Sequence, residues 1–302
     1  MKTDALWLRA KVIKAVRDFF WEQGFLEVET PALIPANVPE EHINPIGPLS
    51  SWQLQTSPEI CMKRLLCSGH TKLFQISRCW RSGERGARHL SEFTMLEWYR
   101  AGCDYRTLMA DCTELLQYVA TTCLPVGRGF KRNLAQIDPF APWKHISVQE
   151  AFLHFAQVDV WDCLKKGLYE EILTSVIEPA FAAFDSPVVL LDYPAELAAL
   201  ARTKPDNGEL AERFELYVGG LELANGFSEL NDPVEQRRRF EKANCTRMNG
   251  GQAALPLPEP FLGALAAMPE SAGIALGIDR LVMLTAGVDT IDEVVAFIPE
   301  EL

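Results

Sequence analysis

The sequence lacks several features that define whole classes of protein. Its eight cysteines include no C-x-x-C pair and its five histidines show no zinc-ligand spacing, which argues against a disulfide framework or a structural zinc site. No uncharged apolar run approaches the roughly 18 residues of a membrane span, and the first ten residues carry charges where a signal peptide would be apolar. We therefore expect a cytoplasmic protein with reduced thiols and no membrane partner.

Basic residues are fewer than acidic residues. The chain has 29 Lys and Arg against 41 Asp and Glu, a net charge of −12. The deficit is uneven, because residues 1–108 carry 14 basic and 12 acidic side chains (+2), whereas residues 109–302 carry 15 and 29 (−14). Non-specific affinity for nucleic acids depends on Lys and Arg that displace counterions from phosphates. A large nucleic-acid partner is therefore disfavoured.

The remaining composition is that of a folded protein. Of 302 residues, 48% are hydrophobic and 23% are charged, as is typical of globular domains. Residues 124–143 are rich in Pro, Gly and basic residues and precede a capping box at Ser147 and Glu150, which indicates a subdomain boundary. The pattern predicts one large domain over residues 1–302, with a mainly helical insertion at about 145–205.

The N-terminal segment predicts an amphipathic helix followed by a short strand. Leu8, Val12 and Val16 share one face at helical spacing within residues 4–23. The alternating segment FLEVET follows and ends at Pro31, which cannot donate to a strand ladder. The apolar helix face needs cover, either from a second copy of the chain or from the chain itself.

Two further strands, predicted at residues 71–81 and 92–100, carry side chains that suit a ligand. Their ten-residue connection is too long for a tight hairpin. Four arginines surround a single acid here and indicate a small anion site; they are Arg78, Arg81, Arg85 and Arg88, with Glu84 as the acid. In the second strand, period-two geometry places Phe93, Met95, Glu97 and Tyr99 on one face. An inward acid and phenol beside cations cost free energy unless a ligand satisfies them, although each residue alone is more typical of a half-solvated sheet.

Two constellations lie nearer the C-terminus. Glu222 and Glu229 are seven residues apart in ELANGFSEL, so a turn or bulge at 225–226 is needed to bring them to the same face. Paired carboxylates beside a phosphate site suit Mg²⁺, but one solvated and one ion-paired glutamate is an open alternative. Gly277 precedes a helix start bearing Arg280, where free N–H groups favour an anion. Arg280 is equally suited to a structural ion pair.

In this order, the constellations resemble the three motifs of class II aminoacyl-tRNA synthetases. GFLEVETPALIP is similar to motif 1, FQISRCWRSGERGARHLSEFTMLEWYR to motif 2 and GIALGIDRL to motif 3. The resemblance covers almost the whole chain and is closest to the lysyl subgroup, through TSPEICMKRLL and ERFELYVGGLELANGFSELNDPVEQRRRF. It implies an α+β catalytic domain with an antiparallel β-sheet flanked by helices. Motif 1 begins within the first thirty residues, so no OB-fold anticodon-binding domain is expected.

Within the lysyl subgroup, the chain resembles a truncated branch that attaches β-lysine to a lysine of elongation factor P. This resemblance implies ATP and Mg²⁺ as cofactors, lysine or β-lysine as the small substrate, elongation factor P as the protein substrate, no tRNA, and a homodimer paired through motif 1. The implied reaction joins the amino-acid carboxylate to the α-phosphorus of ATP, releases pyrophosphate and then transfers the acyl group to an amine. A tRNA-charging enzyme and a non-catalytic paralogue that binds amino acid and ATP stay open as alternatives.

The resemblance also implies roles for individual residues. The catalytic groups are Arg81 on the α-phosphate and Arg280 on the γ-phosphate. The implied ATP-binding set is Arg81, Ser82, Gly83, His89, Leu90, Phe93, Glu222, Leu223, Gly277 and Arg280, with His89 on the outer phosphates and Phe93 stacked on adenine. The implied amino-acid-binding set is Ser57, Pro58, Glu59, Glu97, Tyr99, Asn225, Glu229 and Ala275. Glu222 and Glu229 are the implied magnesium ligands.

The chain departs from the family pattern in motif 2 and matches the truncated branch in motif 3. The usual Arg-Asn-Glu is Arg81-Ser82-Gly83, and the usual Asn after His is Leu90. Glu84 is a candidate to replace the missing acid from one position later. Ala275 occupies a motif 3 position that is typically glycine in lysyl-tRNA synthetases and alanine in the β-lysine branch.

Overall fold

The structure is a computed structural model that describes residues 2–48 and 52–302. Its strands are β1 (Leu26–Glu27), β2 (Leu33–Ile34), β3 (Gln53–Leu54), β4 (Lys72–Trp80), β5 (Glu92–Ala101), β6 (Phe130–Arg132), β7 (Ala135–Ile137), β8 (Lys144–Ser147), β9 (Val188–Pro194), β10 (Leu210–Val218), β11 (Leu221–Ser228) and β12 (Ser271–Gly277). Within these described ranges, eight strands form one sheet in the order β1-β4-β5-β12-β11-β10-β9-β8. The two strands predicted around the ten-residue loop are therefore confirmed as β4 and β5.

The helices are α1 (Lys2–Glu22), α2 (Glu59–Cys67), α3 (Tyr105–Cys123), α4 (Val148–Ala151), α5 (Val160–Lys166), α6 (Tyr169–Ile172), α7 (Glu178–Phe181), α8 (Pro233–Asn249), α9 (Glu259–Ala264) and α10 (Ile278–Ala286). Two π-helical turns, Phe152–Ala156 and Leu173–Ile177, continue α4 and α6. None of the described helices is long and apolar enough to cross a membrane.

The predicted α+β fold is confirmed, but the sheet is antiparallel only across its six central strands. At its two edges β1 pairs with β4 and β8 pairs with β9 in parallel. Parallel neighbours require a long crossover connection, which α2 and the helices between β8 and β9 provide. The stretch predicted as helical at about 145–205 is helical chiefly over residues 148–181, because residues 188–194 join the sheet as β9. The division into a catalytic domain with an insertion stays a prediction.

Three apolar clusters hold the helices against the two faces of the sheet. The largest packs α1, α3 and α10 on one face, and it contains Val12 and Val16, both fully buried. On the other face, α2, α8 and α9 pack near Leu73 and Tyr99, while the helices over 148–181 pack on β9 and Tyr217. The second face therefore carries helices at both ends, and the sheet between them is left open for a site.

Candidate active site

The candidate site lies on the open sheet face, where the strand register brings side chains into rows. Glu97 of β5 is paired with Gln75 of β4 and with Ala275 of β12. Ala275 is in turn paired with Asn225 of β11, and Asn225 with Glu215 of β10. Cross-strand partners project to the same side of a sheet. A second row, one pleat away, runs through Tyr99, Gly273, Phe227 and Arg213.

A cavity opens over these rows and collects most of the residues singled out in the sequence. Its lining includes Ser57, Glu59, Arg81, His89, Leu90, Phe93, Met95, Glu97, Tyr99, Glu222, Leu223, Asn225, Ala275, Gly277 and Arg280. The shared face predicted for alternate residues of β5 is therefore confirmed. Four members of the predicted sets lie outside this lining: Pro58 and Glu229 are buried, while Ser82 and Gly83 are exposed in the β4–β5 loop.

The predicted irregularity in β11 exists, but it lies nearer the start of the strand. Leu216 pairs with Ala224 and the next residue, Tyr217, pairs with Glu222, so Leu223 is the extra residue of a β-bulge. The bulge shifts the alternation by one and puts Glu222 on the same face as Asn225. The turn expected at 225–226 is wrong, because that stretch is paired regularly with β12.

One end of the cavity is built around the buried carboxylate of Glu97. The Ser57 hydroxyl donates to Glu97 Oε1 at 2.5 Å, and the Tyr99 hydroxyl donates to Oε2 at 2.8 Å. Burial raises the pKa of Glu97 to about 7, the negative charge of Glu59 adds to the rise, and the two hydroxyl donors oppose it. This end of the cavity is therefore acidic, and hydrogen bonds already orient the Glu97 carboxylate.

Glu229 lies beneath this end of the cavity and is paired with a lysine that the sequence analysis did not single out. Lys63 Nζ lies 2.5 Å from Glu229 Oε2 and donates to Glu59 Oε1 at 2.6 Å. Lys63 is 1% exposed, and its ammonium group sits 5.0 Å from the centroid of the Phe227 ring. Burial acts to lower the pKa of Lys63, but the charges of Glu229 and Glu59 outweigh burial and raise it. Lys63 is thus held as a cation.

Arg81 stands at the other end of the cavity with unused hydrogen-bonding capacity. Its guanidinium lies 5.0 Å from the centroid of the Phe93 ring, and its Nη1 lies 3.8 Å from Glu84 Oε1. Its buried Nε has no hydrogen-bond partner among the described residues. A buried donor without a partner is costly, so this arginine is suited to an anionic ligand. Glu84 faces Arg81, as expected of a replacement for the missing motif 2 acid.

A second cation, Arg280, is anchored to the start of β11. It donates through Nη1 to the Glu222 carbonyl at 2.7 Å and to the Glu222 carboxylate at 3.3 Å. Its Nη2 lies 2.6 Å from His89 Nε2, which must accept because a guanidinium has no acceptor. Burial and the charge of Arg280 lower the pKa of His89. The structure thus brings together Arg280, His89 and Glu222 near Gly277.

Comparison with known proteins decides the family. A family model described as class II tRNA synthetases (D, K and N) matches residues 2–301. The chain belongs to this family. Class II synthetase domains form adenylates, which supports an ATP-dependent ligase.

Curated class II relatives match nearly end to end. The protein from Proteus mirabilis is 40% identical over 96% of this chain and 93% of its own length. That from Mannheimia succiniciproducens is 41% identical over 97% and 94%, and that from Vibrio campbellii 38% over 96% and 94%. Each of the three is named elongation factor P–(R)-β-lysine ligase.

The structure adds site residues that the sequence analysis missed. Glu40, Lys63, Arg213 and Glu215 lie in or against the class II site. Arg213 donates to Glu215 Oε1 at 2.7 Å. Burial, with the charge of Glu222, raises the pKa of Glu215. A sequence signal existed for Glu215, because its alternation with Arg213 along β10 puts both on one face.

The donor set for magnesium differs from the predicted pair. Glu229 is 1% exposed and held by Lys63, so it does not fit a metal that keeps water and phosphate ligands. Glu222 does fit, because it lines the cavity. Glu215 is close enough that the charge of Glu222 raises its pKa. Among residues 2–48 and 52–302 no group of three metal-ligating side chains surrounds one point. Mg²⁺ commonly uses one or two carboxylates together with substrate phosphates.

Proposed function

We propose that this chain is an ATP-dependent ligase that activates (R)-β-lysine as its adenylate and transfers it to a lysine side chain of elongation factor P. The observation that carries the proposal is a single cavity whose lining includes the acidic Glu59 and Glu97 as well as the cationic Arg81 and Arg280. The names of relatives at about 40% identity support the substrates. An ammonium-bearing amino acid suits the acidic end, and a polyphosphate suits the cationic end.

Catalysis in this proposal rests on orientation and charge, and needs no protein nucleophile. Arg81 neutralises charge that develops at the α-phosphate, while Arg280 and His89 hold the outer phosphates. Glu222 with Glu215 would hold Mg²⁺, which would supply positive charge against the negative phosphates. In the second step the acceptor amine attacks the acyl carbonyl and AMP leaves. The amine must arrive deprotonated, and no residue is assigned as its base.

The direct test of activation is ATP–pyrophosphate exchange with a panel of amino acids. We expect exchange with lysine-like amino acids and none with norleucine, which lacks the second ammonium group. Absence of exchange with every amino acid would favour a non-catalytic binding paralogue. Glu222→Gln provides a second arm, because it is expected to weaken exchange and to raise the magnesium concentration that half-maximal exchange requires.

We predict that the acceptor is a protein and that bulk tRNA is not charged. Residues 109–302 carry a net charge of −14, so the counterion-release contribution to tRNA binding is small or adverse. Intact-mass spectrometry should show elongation factor P gaining the mass of one lysine residue, and the gain should vanish when its acceptor lysine is replaced by arginine. Efficient charging of bulk tRNA at physiological salt would contradict this prediction.

We predict that Ala275 contributes to the choice between lysine isomers. Its methyl group lies between Glu97 and Asn225 in the cavity row. One methyl-sized group in a close-packed site is worth roughly 1 to 3 kcal/mol of discrimination. Ala275→Gly is therefore expected to shift the ratio of kcat/KM for β-lysine and α-lysine toward α-lysine by about tenfold. An unchanged ratio in pyrophosphate exchange would show that Ala275 serves only strand packing.

We also propose a homodimer paired through motif 1, as expected from the resemblance, but on another face of its helix. Val12 and Val16 are covered within the chain by α3 and α10, so that face needs no second copy. Trp7 and Trp21 are 75% and 58% exposed on α1, and Trp21 donates to Glu27 of the edge strand β1. We expect light scattering to give about twice 33.8 kDa, and Trp7→Glu to give a monomer. A wild-type monomer at micromolar concentration would contradict the dimer, and Val126→Glu is the matched control at an exposed loop.

A further inference from the structure

Lys63 stands out because it is a buried cation directly beneath a cavity that is proposed to bind cations. It lies one helical turn after Glu59 in α2 and is 1% exposed. An ordinary i,i+4 pair on a helix surface stabilises by little and leaves both groups in water. Here both partners are withdrawn from water, and a third group, Glu229, approaches Lys63 from the end of β11. Burying charged groups costs free energy, and their mutual attraction offsets this cost only when pairing and hydrogen bonding are good.

The charges around this end of the cavity leave a definite remainder. Arg81 faces Glu84, and Arg213 is paired with Glu215. Around Lys63 stand three carboxylates, Glu59, Glu97 and Glu229, and Glu40 also lines the cavity. When all are ionised, the three carboxylates and Lys63 sum to −2. A ligand with two ammonium groups offsets this local negative charge.

The contacts of Lys63 also fix where those carboxylates stand. Its Nζ spans Glu59 Oε1 and Glu229 Oε2, at 2.6 and 2.5 Å. Glu229 Oε1 is buried without a hydrogen-bond partner among the described residues. An ideal Cβ built on Gly273, a residue of the cavity wall, would lie only 2.4 Å from that Oε1. The free oxygen thus lies over Gly273 on the sheet face that carries the cavity, beside the gap that this glycine leaves.

We propose that Lys63 is a positioning residue that sets the charge and geometry of the amino-acid cavity for a substrate with two ammonium groups. It holds Glu59 and Glu229 by one oxygen each and keeps their remaining oxygens toward the ligand. It does not touch the reacting atoms. The inference deepens the proposed activation of a lysine-like amino acid and rests on it.

The pH dependence of activation separates this role from simple packing. The groups that face Glu97 are Glu59 and Lys63 from α2, Ser57 before α2, Tyr99 on β5 and Glu229 after β11. Among them, Lys63 supplies the charge that lowers the pKa of Glu97. In the wild type, kcat/KM for lysine should therefore fall as the pH drops from about 8 to below about 7, where first Glu229 and then Glu97 become protonated. Without Lys63, the fall should begin at higher pH.

The test compares the wild type with Lys63→Met and Lys63→Arg in pyrophosphate exchange between pH 6 and 9. Lys63→Met is expected to raise the apparent pKa in the lysine profile by about one unit, and the KM for lysine at pH 6.5 by about tenfold more than at pH 9. The KM for ATP should stay within about twofold. Lys63→Arg keeps the charge, so it should raise the KM for lysine but leave the apparent pKa unchanged.

Equal losses at every pH in Lys63→Met would show that Lys63 only packs the core, and would overturn the proposal. If thermal unfolding shows that Lys63→Met does not fold, Lys63→Gln carries the same test, because its amide can still donate to Glu59. Failure of the wild type to activate any amino acid would instead refute the proposed function. The two failures are therefore distinguishable in one set of measurements.

Discussion

Arg81→Ala is expected to lower amino-acid-dependent pyrophosphate exchange by about a hundredfold or more, in line with the loss of one electrostatic donor to a transition state. The expectation follows from the hydrogen-bond and ion-pair contacts of this side chain. Its Nε is buried without a hydrogen-bond partner in the part of the chain that the structure describes, and its Nη1 lies 3.8 Å from Glu84 Oε1. The guanidinium is therefore not committed to a structural ion pair. Its loss should reduce kcat far more than it reduces stability.

Arg85→Ala is the matched control for this experiment. Arg85 belongs to the same β4–β5 loop but is paired outside the cavity with Asp292 and Glu300, at 2.9 Å each. Exposed pairs of this kind contribute roughly 0 to 1 kcal/mol, so exchange should change little. Arg81→Lys retains the charge without the planar donors and should recover only part of the rate. Wild-type exchange in Arg81→Ala would remove the central assumption of the mechanism.

Gly273→Ala is expected to abolish lysine activation, with a KM increase of at least about a hundredfold, because the added methyl group enters space that the cavity wall already uses. An ideal Cβ at this position would lie 2.2 Å from Tyr99 Cε1 and 2.4 Å from Glu229 Oε1. Neither neighbour can move freely, since the Tyr99 hydroxyl is bonded to Glu97 and Glu229 is held by Lys63. Overpacking of this kind also costs roughly 1 to 3 kcal/mol of stability, which thermal unfolding would register.

Gly263→Ala is the control for Gly273→Ala. Gly263 lies in α9, and apart from its chain neighbours and its own helix backbone no atom of residues 2–48 and 52–302 lies within 4 Å of the position of an added Cβ. Alanine favours a helix over glycine by about 1 kcal/mol, so this variant should be as stable as the wild type or slightly more stable, with unchanged activity. A Gly273→Ala enzyme that bound lysine normally would show that the cavity does not accommodate the amino acid where we place it.

Local patterns predicted those parts of the site that depend on one strand. The alternation in EFTMLEWYR was enough to place Phe93, Glu97 and Tyr99 on one face, because side-chain direction in a strand has a period of two. The adjacent ten-residue loop and its arginines could also be recognised from one continuous segment of the sequence. In these cases the local sequence alone is enough to predict where the side chains lie.

The remaining features depend on contacts between distant segments. Lys63 and Glu229 are 166 positions apart in the sequence, and nothing in either segment specifies that they meet. In isolation, Lys63 after Glu59 predicts an ordinary surface pair on a helix. The β11 bulge is likewise decided by the register with β10. Val12 and Val16 are covered by α3 and α10, which are distant from them in the sequence. Tertiary packing decides these features, and a single sequence does not display it.

The position of β12 has a consequence for how the protein is made. In the sheet, β12 lies between β5 and β11, yet residues 271–277 leave the ribosome after the other seven strands of that sheet. Until then, β5 and β11 lack the neighbour that lies between them in the finished sheet, and their facing edges are unpaired. Such edges are open to wrong partners. The strand that carries Gly273 and Ala275 is thus the last of the sheet to be added.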